Sequence, residues 1–584
     1  MKVRYGYEYE GVLSLDGKYF EQAEYPLSCS ELSVVADGCG GLKEYRITNR
    51  PEQFLTSILS LDISVDGERL SPYLDKTVHM FGRAQQVTLQ TEAGEVAIAT
   101  YVAEGHSCVF FAIQALKHKL DVVLNCRGAK AESQKGSAIY GENFSLGASA
   151  QGEWVKENDC YYLSGKDEVW IAFGFESKDA ASVTYELFEK IVEQNLKEVV
   201  AYYPDSAETD EEKTIFSLSY FTALQNFKKV GDFRAFAAGL RYIDPLRTYY
   251  RDSYFTVLPM FMGHPELVRD ELLTLARGVK EDGSCPSAVK SDFTAFWGDH
   301  YDSPSFFVME LFDYVHETGD KSILDEVVCG TSMLQKVKAI LARLESRADH
   351  TGLLYKEGEF NKRDWADEVC RNGYVTFVEA LYYRALVVAS RLFKGREDEL
   401  AATYAARAEK VKQAINDILY DEEKGYYVNY KTADFCEDNL SVDTVFTLLF
   451  GIADEKRAKS VLAKMKKLLE SKNNKEQGGD FGVMCVYPPD KNSRALCHKS
   501  ARLFDYHNGA NWCYLTAMYA YAKQLFGRDW KSPILSTFRY LFAHGHYSPI
   551  EYFSPVCPPG SPLQGWSAAI AFVWQQAGKK NFFA

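Results

Sequence analysis

The chain has 584 residues, 46% of them hydrophobic and 25% charged. That is a globular composition too long for one ordinary core, so two domains are the minimum. A formal charge of −15 argues against nucleic acid or an anionic membrane surface as a partner, because either would be repelled; neutral substrates remain open.

The 13 cysteines are an odd number and include no C-x-x-C pair. Scattered cysteines of this kind suit reduced thiols better than a disulfide framework or a zinc site. The opening stretch, MKVRYGYEYEG, carries no apolar core of a signal peptide, and no apolar run of about 18 residues follows. A cytoplasmic location is therefore expected.

From Met1 to about Gly174, short alternating apolar runs such as LSLDISV at Leu59 to Val65 and VAIATYV at Val96 to Val102 are separated by Gly, Asp and Ser. Runs of that length predict an antiparallel β-sandwich. Its aromatics Tyr7, Tyr9, Phe20 and Tyr25 are read as core rather than as ligand contacts. An amphipathic helix at Ser182 to Tyr203 and an acidic stretch at Asp205 to Glu212 come next. The expected division is a β-sandwich at 1–180, a linker at 181–212 and an all-α catalytic domain at 213–584.

That last part reads as about twelve helices, beginning near Glu212, Pro245, Glu266, Ser303, Lys321, Val375, Glu397, Ser441, Asp454, Asn508, Lys531 and Leu563. Over Asp454 to Lys472, for instance, Ala458, Val461, Leu462, Met465, Leu468 and Leu469 form one stripe behind an Asp N-cap. Long loops (Asp282 to Asp302, Asp349 to Tyr374, Ser471 to Tyr506, His544 to Pro562) alternate with short turns. This predicts an (α/α)6 toroid, a multi-domain chain overall, in which the inner helices lead from loops that converge at one end.

Acidic and aromatic residues gather in those loops. Tyr250-Arg251-Asp252 opens one helix, and Trp297 and Asp302 lie ahead of another. Trp365, Asp367 and Glu368 precede the helix whose apolar period includes Val378, Leu381 and Tyr382. Tyr506-His507-Asn508-Gly509-Ala510-Asn511-Trp512 forms a fourth group, and Glu551 with Gln564-Gly565-Trp566 a fifth. A carboxylic acid beside an indole suits sugar cleavage, since the acid gives up a proton while the aromatic face covers the C–H face of a pyranose. Glu379, on an otherwise apolar helix, must find a partner or a cavity.

These motifs resemble the catalytic domain of glycogen-debranching amylo-α-1,6-glucosidases and their relatives among the (α/α)6-barrel glycosidases, over about Thr214 to Gln575. Tyr250-Arg251-Asp252-Ser253 is similar to that family's Gly-Arg-Asp-Thr segment. Trp365-Ala366-Asp367-Glu368 resembles Trp-Met-Asp-Ala, which holds the general acid. Tyr506 to Trp512 matches Tyr-His-x-Gly-x-x-Trp, with Cys513 where Pro is usual. Glu551 followed by Gln564-Gly565-Trp566-Ser567 resembles the loop of the general base ahead of Gln-Ala-Trp-Ser. Ala366, Glu368 and Cys513 depart from the pattern, so another sugar or linkage stays open.

The resemblance implies an inverting, exo-acting glycoside hydrolase with Asp367 as acid and Glu551 as base, most simply on an α-glucosidic bond of a short oligosaccharide. Arg251, Asp252, Trp297, Asp302, Trp365, Glu368, Tyr506, His507, Asn508, Trp512, Gln564 and Trp566 are the expected substrate-binding residues. Neither step calls for a metal or an organic cofactor. DWADEVCRNGY is also similar to the alkaline and neutral invertases, so fructoside hydrolysis is one alternative. An inverting disaccharide phosphorylase is a second, and a non-catalytic carbohydrate-binding barrel a third.

Overall fold

The computed structural model describes residues 13–16, 24–37, 41–48, 50–70, 75–92, 94–126, 131–135, 138–141, 145–148, 155–157, 160–174, 185–476, 479–490 and 495–584. Tyr7, Tyr9 and Phe20 lie outside the described residues; Tyr25 is fully buried and stacks on Tyr547 at 5.2 Å. The chain divides into two compact units. One comprises residues 1–230, 239–246 and 541–549, and the other residues 231–238, 247–540 and 550–584.

The first unit is built on a fifteen-stranded sheet whose described pairings are antiparallel. Its organising strand is Cys108–Cys126. One edge pairs with Cys160–Gly174 along nearly its whole length. The other edge pairs first with Gly94–Val102 and then with Arg50–Val65. The change of neighbour coincides with an irregularity between Ala115 and Lys119, where Lys117 adopts φ +72°. An extra loop of residues at that point bends the strand and lets it serve two sets of neighbours.

Alternation along this strand explains why its sequence, CVFFAI, reads as continuously apolar. Val109, Phe111 and Ile113 join the large core of the unit, whereas Cys108, Phe110 and Ala112 face a second core. That second core is completed by Phe188, Ile191 and Val192 of α1 (Tyr185–Ala201). Both faces are buried, so neither face needs polar residues. A second helix, α2 (Asp210–Asn226), starts behind Thr209, whose side chain accepts from the Glu212 N–H.

The second unit is helical. Its helices are α3 (Tyr250–Val257), α4 (Pro265–Ala276), α5 (Ser303–Thr318), α6 (Met333–Glu345), α7 (Thr376–Phe393), α8 (Asp398–Ile418), the single turn α9 (Phe446–Leu449), α10 (Glu455–Leu468), α11 (Cys513–Leu525), most of α12 (Lys531–Ala543), and α13 (Ala569–Gln575). Two kinds alternate. Helix α3 is buried on every side, as are α9, α13 and nearly all of α5, α7 and α11. By contrast α8 buries only Ala401, Tyr404, Ala408, Val411 and Ile415, and α10 only Ala458, Val461, Leu462 and Met465. A stripe at that spacing marks a helix with one face to solvent, and all-round burial marks an interior one. The interior helices pack in succession, α3 on α5, α5 on α7, α7 on α9, α9 on α11 and α11 on α13. The 3₁₀ turn Gly565–Ala568 ahead of α13 packs back against α3.

Several expectations need correction. The helix predicted near Lys321 is one 3₁₀ turn, Ser322–Asp325. The true helix α6 begins at Met333, where Ser332 and Gln335 form a reciprocal capping box. The segment after Pro245 is a strand, Arg247–Tyr249, before α3 starts. The stretch Asp282 to Asp302, read as loop, contains the hairpin Pro286–Lys290 and Ala295–Asp299. Asp292 secures its turn by accepting from the N–H (2.9 Å) and hydroxyl (2.6 Å) of Thr294. The helix expected from Asn508 starts at Cys513, and the one expected from Ser441 opens as a 3₁₀ turn, Val442–Val445, before the single turn α9. Among the described residues no helix is long and apolar enough to cross a membrane.

Candidate active site

The N-terminal ends of the interior helices carry the polar residues singled out from the sequence. Arg251 and Asp252 occupy the first turn of α3, and Asp302 is the residue before α5. Trp512 caps α11, and Gln564 caps the turn that leads into α13. Because these helices pack in succession, the same end of each delivers its side chains to a shared cluster.

Charge pairing within the cluster is direct. Arg251 donates to Asp302 over 2.7 Å and sits 3.9 Å from the Asp252 carboxylate. Gln564 donates to the other oxygen of Asp252 over 3.1 Å. All four side chains are buried, so each charge keeps a partner where water cannot solvate it.

The Trp365–Glu368 turn rests on a second buried network. Asp364 is gripped by Lys356 and Arg371, and its carboxylate also accepts from the Ala366 N–H at 2.9 Å, which fixes the turn. Arg371 reaches on to Asp443 at 2.8 Å, and Asp443 in turn accepts from the Trp365 indole at 2.6 Å. Both cations hold the Asp364 carboxyl below the usual carboxylate range against the opposing effect of its burial. Glu379 finds its partner in the Leu354 N–H at 3.0 Å, so this helix carboxyl anchors the loop rather than facing a ligand.

Asp367 itself is less committed. His507 Nδ1 lies 3.9 Å from it and accepts the Glu368 N–H at 3.4 Å. Burial pushes Asp367 up to about 7; Arg251 opposes that shift, while the charges of Glu368 and Glu551 add to it. Asp252 is likewise pushed up to about 7 by burial, relieved by Arg251 and reinforced by Glu551 and Asp302. Glu551 therefore acts on both aspartates. Burial, with Arg371 and Arg251 beside it, holds His507 well below its ordinary value, so the ring is neutral. Since Nδ1 accepts a hydrogen bond, the proton resides on Nε2.

Glu551 stands in an irregular antiparallel hairpin, Ile550 to Pro562, and its carboxylate accepts the Ser561 N–H at 3.3 Å. Gly560 lies against it so closely that a Cβ there would come within 2.6 Å of the Glu551 Cβ and 2.9 Å of its Oε2. Only a glycine permits that approach.

Aromatic rings enclose the carboxyl groups. Trp512 stacks on His507 at 4.8 Å, and Trp365 meets both edge-on, His507 at 4.9 Å and Trp512 at 5.6 Å. Tyr506 contacts His507, Trp512 and Tyr552, and Trp566 packs against Trp512 and Tyr514. Several buried polar atoms here have no hydrogen-bond partner: Arg251 Nε, Asp302 Oδ1, Glu368 Oε2, His507 Nε2, Gln564 Oε1 and Trp566 Nε1. Donors and acceptors left unpaired in a buried site are costly, and a ligand rich in hydroxyls would satisfy them.

Two predicted residues are engaged differently. Asn508 spends its amide on loop backbone, accepting from the Asp490 N–H at 2.5 Å and donating to the Arg502 carbonyl at 3.1 Å. Trp297 is 50% exposed on the Pro286–Asp299 hairpin, in a left-handed backbone conformation at φ +57°, stacked on Phe296 and His300.

Four further residues of the cluster escaped the sequence reading. His300 donates from Nδ1 to the Gly298 carbonyl and lies near enough to Asp302 and Arg251 to feel both charges. Lys499 sits over the rings of Tyr506 (4.9 Å) and Tyr552 (5.3 Å); although burial opposes it, Tyr552, Glu551 and Glu368 hold its ammonium above the ordinary value. Asp443 and Tyr514 complete the set. A lone lysine, histidine or aspartate outside a motif carries no signal in a single sequence, whereas Asp302 was legible from its place ahead of a helix. Among the described residues no group of His, Cys, Asp and Glu side chains could hold a metal ion.

The profile of a family described as amylo-alpha-1,6-glucosidase matches residues 225–572. No curated protein matches the sequence. Among solved structures, a bacterial glucoamylase complexed with acarbose is similar in fold, with a TM-score of 0.65 at 12% identity, covering 97% of this chain and 96% of that one. A rhamnosidase from Klebsiella oxytoca with rhamnose bound gives 0.49 at 15% identity, over 89% of this chain and 96% of its own.

Proposed function

Because this chain belongs to the amylo-alpha-1,6-glucosidase family of (α/α)6 glycoside hydrolases, we propose that it hydrolyses an α-glucosidic bond of a short oligosaccharide from the chain end, with inversion, at the cluster around Asp367 and Glu551. The observation that carries this reading is the coupling of the two carboxyls: burial first, and the charge of Glu551 with it, bring Asp367 to about 7 inside one aromatic-walled site. A pair of carboxyl groups held in unlike environments is how an acid and a base coexist at one pH.

In this mechanism Asp367 keeps its proton near neutrality and passes it to the glycosidic oxygen as the bond to the anomeric carbon breaks. Glu551, held by the Ser561 N–H, takes a proton from the water that attacks the opposite face, which inverts the anomeric centre. Neutral His507 fixes the acid loop through the Glu368 N–H. Arg251, Asp252, Asp302 and Gln564 hold hydroxyls of the terminal sugar, and Trp365, Trp512, Trp566 and Tyr506 form its apolar walls. The interior helices correspond to the inner ring of a toroid, whose long loops close the pocket and favour action at chain ends. The β-rich first unit is read as a β-sandwich, and the free cysteines among the described residues favour a cytoplasmic setting.

The test is a panel of α- and β-linked glucosides and natural disaccharides, with NMR reading the anomer first released. Release of β-glucose from an α-linked substrate, independent of inorganic phosphate, is the expected result. Release that requires phosphate, or an α-anomer first, would overturn it.

A further inference from the structure

The loop that carries Asp367 and Glu368 is joined to the stretch leading to Tyr506 and His507 by a short ladder. Val369 and Leu496 form its antiparallel bridge. The Cys370 N–H donates to the Ala495 carbonyl over 2.7 Å, and the Cys497 N–H donates to the Glu368 carbonyl over 3.0 Å. Residues next to a bridged pair point to the face opposite that pair. Cys370 and Cys497 therefore emerge together on one face, as diagonal neighbours. Both are partly accessible, the two sulfurs lie near enough to perturb each other, and the Lys362 ammonium lies near enough to Cys497 to be affected by it.

We propose that Cys370 and Cys497 are a redox-modification site, closing to a reversible disulfide that clasps the Asp367–Glu368 loop to the Tyr506–His507 segment. Its oxidant is a low-molecular-weight disulfide such as oxidised glutathione. Cys497 is the attacking thiol, because burial and the neighbouring Cys497 sulfur raise Cys370 and leave it the poorer first nucleophile. The Cys497 thiolate attacks one sulfur of oxidised glutathione, giving a mixed disulfide and one glutathione thiolate, which takes up a proton. Cys370 then loses its proton to solvent, attacks the Cys497 sulfur, and expels the second glutathione. Two protein thiols are oxidised to one disulfide, and one glutathione disulfide is reduced to two thiols.

The consequence follows from reach. Diagonal neighbours on an antiparallel ladder lie roughly 7–8 Å apart at Cα, and a disulfide requires about 4.4–6.8 Å. Closing the bond therefore draws the two segments together by about 1 Å, a displacement that can cost about a hundredfold in rate when it reaches a catalytic group. The Glu368 N–H bond to His507 and the Asp367–His507 approach both span this junction. The effect on turnover rests on Asp367 acting as the acid; formation of the disulfide does not.

The experiment treats the full chain with oxidised glutathione, blocks the remaining thiols and maps peptides by mass spectrometry beside a turnover assay. The expected result is a Cys370–Cys497 cross-linked peptide, a loss of two free thiols, a fall in kcat of at least tenfold and recovery with dithiothreitol. Cys370→Ser and Cys497→Ser each keep the activity of the reduced protein and lose the response. Absence of the cross-linked peptide, or glutathione left on Cys497 alone, overturns the site; a cross-link with unchanged kcat overturns the clasp. A reduced protein with no glycosidase activity would count against the hydrolase reading, while the peptide map still decides the disulfide.

Discussion

Gln564 donates its side-chain amide to the Asp252 carboxylate over 3.1 Å, although the two residues are 312 positions apart in sequence. The bond joins the last interior helix to α3, and the same aspartate neighbours Arg251. Gln564→Ala removes a hydrogen-bond donor to that carboxylate. KM for the preferred substrate should rise about tenfold, with kcat changed less, because a lost hydrogen bond to a charged group is worth about 1.5–3 kcal/mol. Steady-state kinetics checks the split between the two constants.

The alkaline limb of the pH–rate profile should fall near pH 7, where Asp367 and Asp252 both titrate. Activity requires protonated Asp367, so it drops as pH rises through that value. In Arg251→Gln the opposing cation is gone, and the limb should move to higher pH. A profile of kcat/KM for both proteins measures it.

Stability should also fall with rising pH through the same group, beginning at a lower pH than the loss of activity. Below pH 3.8, the ordinary aspartate value, Asp367 is protonated whether the chain is folded or unfolded. Between 3.8 and about 7 the unfolded chain ionises it while the folded chain holds the proton, so folding loses stability as pH rises across that window. Asp367→Asn should therefore raise the melting midpoint at pH 8 and leave it nearly unchanged below pH 4. Calorimetry at the two pH values reads the difference.

Gly560 tests the placement of the second carboxyl without altering its chemistry. In Gly560→Ala the new methyl meets the Glu551 Cβ at 2.6 Å, so Glu551 must shift. At least a tenfold loss of kcat is expected, consistent with the roughly hundredfold cost that a misplacement of about 1 Å can carry. The circular dichroism spectrum should stay that of the parent.

Removing the cation behind the acid loop should be felt mainly in folding. Arg371→Ala leaves Asp364 and Asp443 facing each other's surroundings without their shared guanidinium. Breaking one partner of a buried ionic network costs about 3–5 kcal/mol, which denaturant titration would register.

What could be read from letters followed from periodicity and from local chemistry. Stripes such as Ala458, Val461, Leu462 and Met465 were legible because one face repeats every three or four residues, and Asp454 does accept the Arg457 N–H as the predicted cap. Interior helices were harder to bound, since a helix buried all round has no polar face to mark its edges. That is why α11 begins at Cys513 rather than at Asn508. The hairpin at Pro286–Asp299 was missed because its strands are short and its outer strand is mostly exposed. In the site, residues that sit at helix starts were found. His300 and Lys499 were not, because they join the cluster through three-dimensional proximity to Arg251, Glu551 and Tyr506 and not through any local pattern. Asn508 shows the converse, a motif residue whose amide is occupied by its own loop.

The most direct measurement compares Asp367→Asn and Glu551→Gln on an α-linked disaccharide and on α-glucosyl fluoride, whose leaving group needs little protonation. Glu551→Gln should lose about 10³-fold or more on both substrates, within the scale of general-base catalysis, while Asp367→Asn fails on the disaccharide yet keeps most of its rate on the fluoride. Parent-level hydrolysis of the disaccharide by either variant would contradict these roles.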